Sequence, residues 1–167
     1  MAYSNLTRNL RDGQIVIKDG TGTPISTTLL LDTGDLSWTE KKNTIEVKDR
    51  GVLSHTRPGD QETVDISFSV KWTHLIQGSV TFSDGHMLYE LFNELDSLYV
   101  STSGDGEQYT LKIEFTVAAP AGVSSTGEKI VFAKVYQESL QCGEGADFNK
   151  IDFKGKDFET RPTISRV

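Results

Sequence analysis

The alternation of apolar and polar residues is most regular over residues 62–72, which read ETVDISFSVKW. Every second position is β-branched or aromatic, and the positions between them are mostly polar. This period of two predicts a strand that buries one face only. At about 3.3 Å per residue the strand would be roughly 35 Å long, which exceeds the usual length of a strand. The predicted core face consists of Val64, Ile66, Phe68, Val70 and Trp72.

Shorter segments with a similar pattern predict further strands along the chain. They cover residues 14–19, 27–32, 36–41, 109–119, 129–140 and 147–158. The segment 129–140 has apolar residues at both its odd and its even positions, which indicates a central strand that is covered on both faces. Its two predicted faces are Ile130, Phe132 and Tyr136, and opposite them Val131, Ala133 and Val135.

One segment, residues 85–95, has a helical pattern. Its apolar positions follow the spacing i, i+3, i+4, i+7 and form one stripe, which we expect to close an open side of a sheet. The stripe consists of Leu88, Leu91, Phe92 and Leu95. Many strands, frequent glycine and one helix predict a mainly β fold, an antiparallel β-sandwich or barrel with one flanking helix. We expect residues 1–167 to form a single domain, with residues 1–12 as an N-terminal arm.

Residues 41–60 interrupt the series of strands with a long, charged segment, KKNTIEVKDRGVLSHTRPGD. A segment of this length without a core of its own is uncommon in a compact domain unless it has a function. Two short alternations flank the turn residues 49–51, which predicts a loop or hairpin arm that projects from the body. Its apolar residues, which have no core of their own, are Ile45, Val47, Val52 and Leu53.

Composition restricts the possible functions further. The formal net charge is −7, which argues against tight, non-specific binding of phosphate, because such binding needs Lys and Arg to displace counterions. The single cysteine, Cys142, excludes an intrachain disulfide. The N-terminal residues lack the apolar core of a signal peptide, and no apolar run is long enough to span a membrane. We therefore expect synthesis in the cytoplasm and no membrane partner.

The sharpest local motif is Asp32-Thr33-Gly34, preceded by two leucines and followed by Trp38. It resembles the catalytic loop of aspartic proteases, in which two such loops share a proton between two carboxylates. Here Asp35 stands where that family has a small residue, and no segment matches its bracing sequence. A hairpin turn explains the motif better, so we expect no enzyme activity. The three histidines are not spaced as metal ligands, and we expect no metal and no cofactor.

The order of segments over the first seventy residues resembles that of a bacteriophage tail tube (major tail) protein. The resemblance lies in IVIKDGTGTPISTTLLL, GDLSWTEKKNTIEVKDRGVL and RPGDQETVDISFSVKW, and more loosely in the later FKGKDFETR. It implies a β-sandwich with a flanking helix whose copies form rings, usually hexameric, stacked into a hollow tube. It further implies a place in the virion, contacts with tape measure, tail terminator and tail tip proteins, and passage of double-stranded DNA without tight binding.

Two surfaces follow as candidates from this resemblance and from the pattern. The candidate contact between subunits or rings consists of Ile45, Val47, Lys48, Asp49, Arg50, Val52 and Leu53. The candidate lumen, or exposed strand face, consists of Asp65, Ser67, Ser69 and Lys71. Besides the protease, a carbohydrate-binding β-sandwich stays open as an alternative, because aromatic side chains can stack on sugars. The aromatic candidates for it are Trp38, Trp72, Tyr89, Tyr99 and Tyr109.

Overall fold

Strands dominate the computed structural model, which describes residues 13–29, 36–71, 75, 88–95, 98–119, 127–145, 147 and 149–167. Within these residues ten strands and one helix are present. In chain order they are β1 Gly13–Lys18, β2 Ser26–Leu29, β3 Ser37–Thr39, β4 Thr44–Asp49, β5 Val52–Pro58, β6 Val64–Lys71, α1 Leu88–Phe92, β7 Leu111–Val117, β8 Glu128–Glu144, β9 Asn149–Asp157 and β10 Thr163–Arg166.

Eight of the strands form one antiparallel sheet in the order β2-β1-β7-β8-β9-β6-β3, with β10 also paired to β8. The 17-residue strand β8 joins the two halves of this sheet. Its first part pairs with β7 as far as Val135, and from Val135 to Glu144 it pairs with β9. We call β2, β1, β7, the first part of β8 and β10 the five-stranded layer. The second part of β8, with β9, β6 and β3, is the four-stranded layer.

The two layers pack face to face around one core. Trp38 on β3 and Phe132 on β8 show this directly, because their ring centroids are 6.0 Å apart. In a flat sheet the three strand spacings between β3 and β8 would separate them by about 14 Å. The sheet therefore curls back on itself as a β-sandwich. The largest fully buried side chains of the core are Phe132, Phe153, Ile15, Ile17, Leu91, Leu111, Ile113, Ile151, Val64, Val70 and Val135.

A β-bulge in β8 explains why Val135 is buried although simple alternation groups it with Val131 and Ala133. Ile113 on β7 pairs with Phe132, but Leu111 pairs with Val135, so β8 contributes one extra residue between these pairs. Phe132 and Val135 are consequently both buried, and the predicted grouping of Val135 with the opposite face is wrong. Asp157 holds the bulge, since its Oδ1 accepts a hydrogen bond from the amide of Lys134 at 3.0 Å.

The helix packs against the core as predicted, but it is shorter than expected. Leu91 is fully buried, and the rings of Phe92 and Phe153 lie 4.6 Å apart. The helix ends at Phe92, and Glu94 takes the left-handed conformation with φ 53°. Leu95 therefore leaves the predicted stripe and is 56% exposed. Residues 85–87 of the predicted helix lie outside the described residues.

The predicted fold class, a mainly antiparallel β-sandwich with one flanking helix and a hairpin arm, is confirmed. The core face of residues 62–72 is confirmed from Val64 to Val70, while Trp72 lies outside the described residues. Strand β10 is not among the predicted strands. The N-terminal arm at residues 1–12 and residues 30–35 with the Asp32-Thr33-Gly34 motif also lie outside the described residues.

Candidate assembly surfaces

The segment predicted as an arm is a β-hairpin made of β4 and β5, which form a two-stranded sheet separate from the main one. Asp49 pairs with Val52, so Arg50 and Gly51 form a two-residue turn. Both turn residues have positive φ, 47° and 84°. This is the conformation of a type I′ turn, whose twist matches that of paired strands, and Gly51 adopts it without steric cost.

Most apolar side chains of the hairpin face solvent, whereas the predicted contact residue Val47 is half-buried. Ile45 is 53% exposed, Val52 71% and Leu53 53%, and every residue of β5 is exposed. Charged groups surround them, including Lys48 and Glu46, whose Nζ and Oε2 atoms are 3.6 Å apart. An isolated two-stranded hairpin is only marginally stable in water. The strand register puts Ile45 and Val52 on one face of the hairpin and Leu53 on the other. Both faces therefore offer exposed apolar groups, with charged groups beside them, for a contact with another subunit.

The hairpin is closed at its base by the body of the protein. The amide of Gly59 donates to the carbonyl of Asn43 at 2.8 Å, just beyond the last strand pair. Lys41 Nζ lies 2.5 Å from Asp65 Oδ2 and connects the segment leading to the hairpin with β6. These contacts fix where the hairpin leaves the four-stranded layer.

The predicted polar face of β6 is the outward face of the four-stranded layer, and it has mixed charge. The hydroxyls of Ser67 and Ser37 are 2.8 Å apart, and Ser69 donates a hydrogen bond to Asp152 on β9. That hydrogen bond and Lys150, whose Nζ lies 3.2 Å from Asp152, lower the pKa of the Asp152 carboxyl. Asp65, Ser67, Ser69 and Lys71 therefore belong to one surface with the lysines of β9. The outward lysines of β9 are Lys150, Lys154 and Lys156.

The four-stranded layer ends in two strand edges without a further partner among the described residues. One is β3, which pairs with β6 alone. The other is the second part of β8. Its pairing with β7 ends at Val135, whereas its pairing with β9, on the opposite side, continues to Glu144. Unpaired backbone groups along an edge can pair with a strand of another chain.

The outward face of the five-stranded layer carries a cluster that sequence reasoning missed. Glu114 on β7 is buried, and three lysines contact its carboxylate. Lys129 and Lys18 reach Oε2 at 2.8 and 2.9 Å, and Lys112 reaches Oε1 at 3.1 Å. Burial alone would raise the pKa of Glu114, but the hydrogen bonds from the three lysines outweigh it and lower that pKa to about 2. The carboxylate is therefore ionised at neutral pH.

Three of the aromatic residues considered for sugar binding belong to the interior of the described structure, while Trp72 lies outside the described residues. Trp38, Tyr99 and Tyr109 all pack against the core. The hydroxyl of Tyr109 donates to the carbonyl of Leu91 at 3.1 Å, and burial raises the pKa of Tyr109. Within the described ranges, no group of three or more His, Cys, Asp or Glu side chains is placed to hold a metal ion. No helix in the described part of the chain has the length and hydropathy needed to span a membrane.

The fold of this chain resembles that of chains in several solved injection particles. A chain of the PVC sheath–tube complex, from an extracellular contractile injection system in its extended state, is 14% identical with a TM-score of 0.54, over 92% of this chain and 89% of the other. A chain of the PVC sheath/tube terminator is 12% identical, with a TM-score of 0.57 over 98% of both chains. A chain of the anti-feeding prophage tube-terminating cap is 14% identical, with a TM-score of 0.56 over 100% and 95%.

Because these identities are low, the likeness establishes a shared fold only. The role of this chain has to be argued from its own surfaces. No model of a known protein family matches the chain, and no curated protein is significantly similar to it in sequence.

Proposed function

We propose that this protein is a structural, non-enzymatic tail protein that assembles with copies of itself into rings, hexameric as in tail tubes, which stack into a tube. In this role the tube is a component of the virion and a conduit for double-stranded DNA. Tape measure, tail terminator and tail tip proteins are its other partners. The fold shared with chains of tube-bearing particles supports the proposal.

The observation that carries the proposal is the β4–β5 hairpin. It is separate from the main sheet, and Ile45, Val52 and Leu53 are each at least half exposed. Burying such side chains gains roughly 25 cal/mol per Å² of apolar surface, and a neighbouring ring would provide that burial. The charged groups Lys48, Asp49 and Arg50 around them suit complementary pairing, which selects the register of a contact.

The two edges of the four-stranded layer suit the contact within a ring. An edge such as β3 on one subunit can pair with the free edge of β8 on the next, which is a head-to-tail contact. Repeated around a closed ring, such pairing would remove the edges, as in a barrel. The outward face of this layer, with Asp65, Ser67, Ser69 and Lys71, would then line the lumen.

The charge of that face suits a passage for DNA that must not be retained. Its lysines alternate with acids, and Lys150 and Lys156 lie within 3.2 Å of Asp152 and Glu138 respectively. Paired ammonium groups are less available to replace the counterions of a phosphate backbone than a continuous basic surface would be. The four-stranded layer can therefore contact passing DNA weakly.

Negative-stain electron microscopy and sedimentation velocity of the purified protein test the proposal. We expect tubes of stacked rings for the natural sequence and for Ile164→Ser, but only single rings or monomers for Ile45→Ser. Ile45 and Ile164 are matched, since both lie in strands and are 53% and 58% exposed. The same substitution should therefore lower the stability of the monomer by a similar, small amount at either position. A natural protein that stays monomeric at all concentrations, or Ile45→Ser tubes like those of the natural protein, would overturn the proposal.

A further inference from the structure

The lysine cluster around Glu114 carries more positive charge than its carboxylate can neutralise. Lys18, Lys112 and Lys129 all contact Glu114 within 3.1 Å, which leaves a net charge of +2 for three ammoniums and one carboxylate. One lysine would suffice to neutralise the buried acid. We call this outward surface of β1, β7 and β8 the cationic face.

The cationic face has a fixed geometry. Val16, Glu114 and Val131 lie side by side on neighbouring strands, so Glu114 is flanked by two half-buried valines. The lysine stems cover the carboxylate, and their side chains are only 29–40% exposed. Each ammonium has three donors, of which Glu114 takes at least one, so the others remain for further acceptors. Because the positions are already set, little side-chain entropy is lost when an acceptor arrives.

Carboxylates fit this surface, and the chain itself has them in excess. On the outward strand residues of the described five-stranded layer Glu114 is the one acid, yet the whole chain has 24 Asp and Glu against 17 Lys and Arg. Exposed acids lie elsewhere on the chain, among them Asp105 and Glu107 in the loop before β7, and Glu144 and Asp147 around the turn after β8. A second copy of the chain is therefore complementary to the cationic face.

We propose that the cationic face is the receiving side of a head-to-tail contact between two copies of this chain and binds exposed carboxylates of the neighbouring copy. A two-fold contact through the same face would oppose two surfaces of charge +2 and is disfavoured. A head-to-tail contact joins this face to a different, acidic surface. The inference rests on the proposed self-assembly. With the four-stranded layer towards the lumen, the cationic face lies on the outer side of the tube wall, so the carboxylates would reach it from an exposed loop of the neighbouring copy, away from the hairpin and the strand edges.

A single substitution tests the contact while two of the three lysines remain paired with Glu114. Lys112→Gln removes the most exposed of the three lysines and leaves Lys18 and Lys129 on the carboxylate. Arg161→Gln, on an exposed residue between β9 and β10, changes the net charge equally and is the control. We expect Lys112→Gln to require about two- to fivefold more protein for half-assembly, with a shallower dependence on salt. The control should assemble like the natural protein.

Cross-linking with a carbodiimide, which joins amines directly to carboxylates, identifies the partner groups. Assemblies of mixed ¹⁵N-labelled and unlabelled chains should give cross-links from Lys18, Lys112 or Lys129 to a carboxylate of another chain. Cross-links of the same lysines to Glu114 within one chain are the internal positive control.

The possible failures are distinguishable. If the natural protein does not assemble at all, the proposed function fails and the inference fails with it. If it assembles but Lys112→Gln behaves like Arg161→Gln, or if the three lysines cross-link only within their own chain, the inference alone fails.

Discussion

Glu114 is a buried acid at a strand position that a sequence pattern assigns to solvent. Its neighbours on the strand, Ile113 and Phe115, face the core, while Glu114 lies under lysine side chains on the opposite face. A buried carboxylate is costly unless it is paired and hydrogen-bonded. Here the three ammoniums satisfy it, so the residue contributes to stability while it is ionised.

The pH dependence of unfolding tests this role. The folded-state pKa of Glu114 is lowered from 4.5 to about 2, so its stabilising contribution is present above pH 4.5 and is lost as the pH falls towards 2. Urea unfolding should show the natural protein more stable than Glu114→Gln at pH 7, with the difference shrinking between about pH 4.5 and 2. Glu138→Gln, which removes a half-exposed acid paired with one lysine, should change stability less. A difference between natural protein and Glu114→Gln that stays constant down to pH 2 would contradict this account.

At the scale of elements, the helix and the hairpin differ in where their apolar side chains go. Helix α1 places Leu88, Leu91 and Phe92 in the core of its own subunit. The hairpin leaves Ile45 and Leu53 in solvent. The helix therefore belongs to the stability of the monomer, whereas the hairpin is available for contacts between subunits.

Two leucines at the helix allow the effect of burial on stability to be separated from the effect of the Leu→Ala change itself. Leu91→Ala should lower the free energy of unfolding of the unassembled subunit by about 2–5 kcal/mol, because it deletes a fully buried side chain. Leu95→Ala makes the same chemical change just beyond the helix, at a residue 56% exposed, and should cost under about 1 kcal/mol. Thermal or denaturant unfolding measures both. Equal effects of the two substitutions would show that α1 does not close the core in solution.

At the scale of the whole molecule, the hairpin is a removable part of a sandwich that does not need it. Residues 44–58 can be deleted and Asn43 joined to Gly59, since the carbonyl of Asn43 already accepts a 2.8 Å hydrogen bond from the amide of Gly59. The product should keep the circular dichroism of a folded β protein and form single rings or monomers that cannot elongate. Tubes of normal length from this deletion would refute the role of the hairpin in stacking. An unfolded product would instead show that the hairpin is needed for the folding of the subunit.

The sequence by itself determined the features that depend on neighbouring residues. Alternation placed the buried faces of β6 and β7, because successive side chains of a strand point to opposite sides. Helical spacing identified Leu88, Leu91 and Phe92 as one buried stripe. The residues Asp49, Arg50 and Gly51 predicted the turn of the hairpin, since Gly is free to take positive φ. These features account for the fold class and for the hairpin surface.

Only the tertiary structure decided the features that depend on pairing between distant strands. Lys18 and Glu114 lie 96 residues apart, and the register of β1 on β7 brings them together. The bulge in β8 changes which of its residues face the core, and a local period cannot show an inserted residue. The end of the helix at Phe92 exposes Leu95 although its spacing fits the stripe. Pattern depends on local chain geometry, whereas strand register, bulges and charge clusters depend on which segments meet in the folded chain.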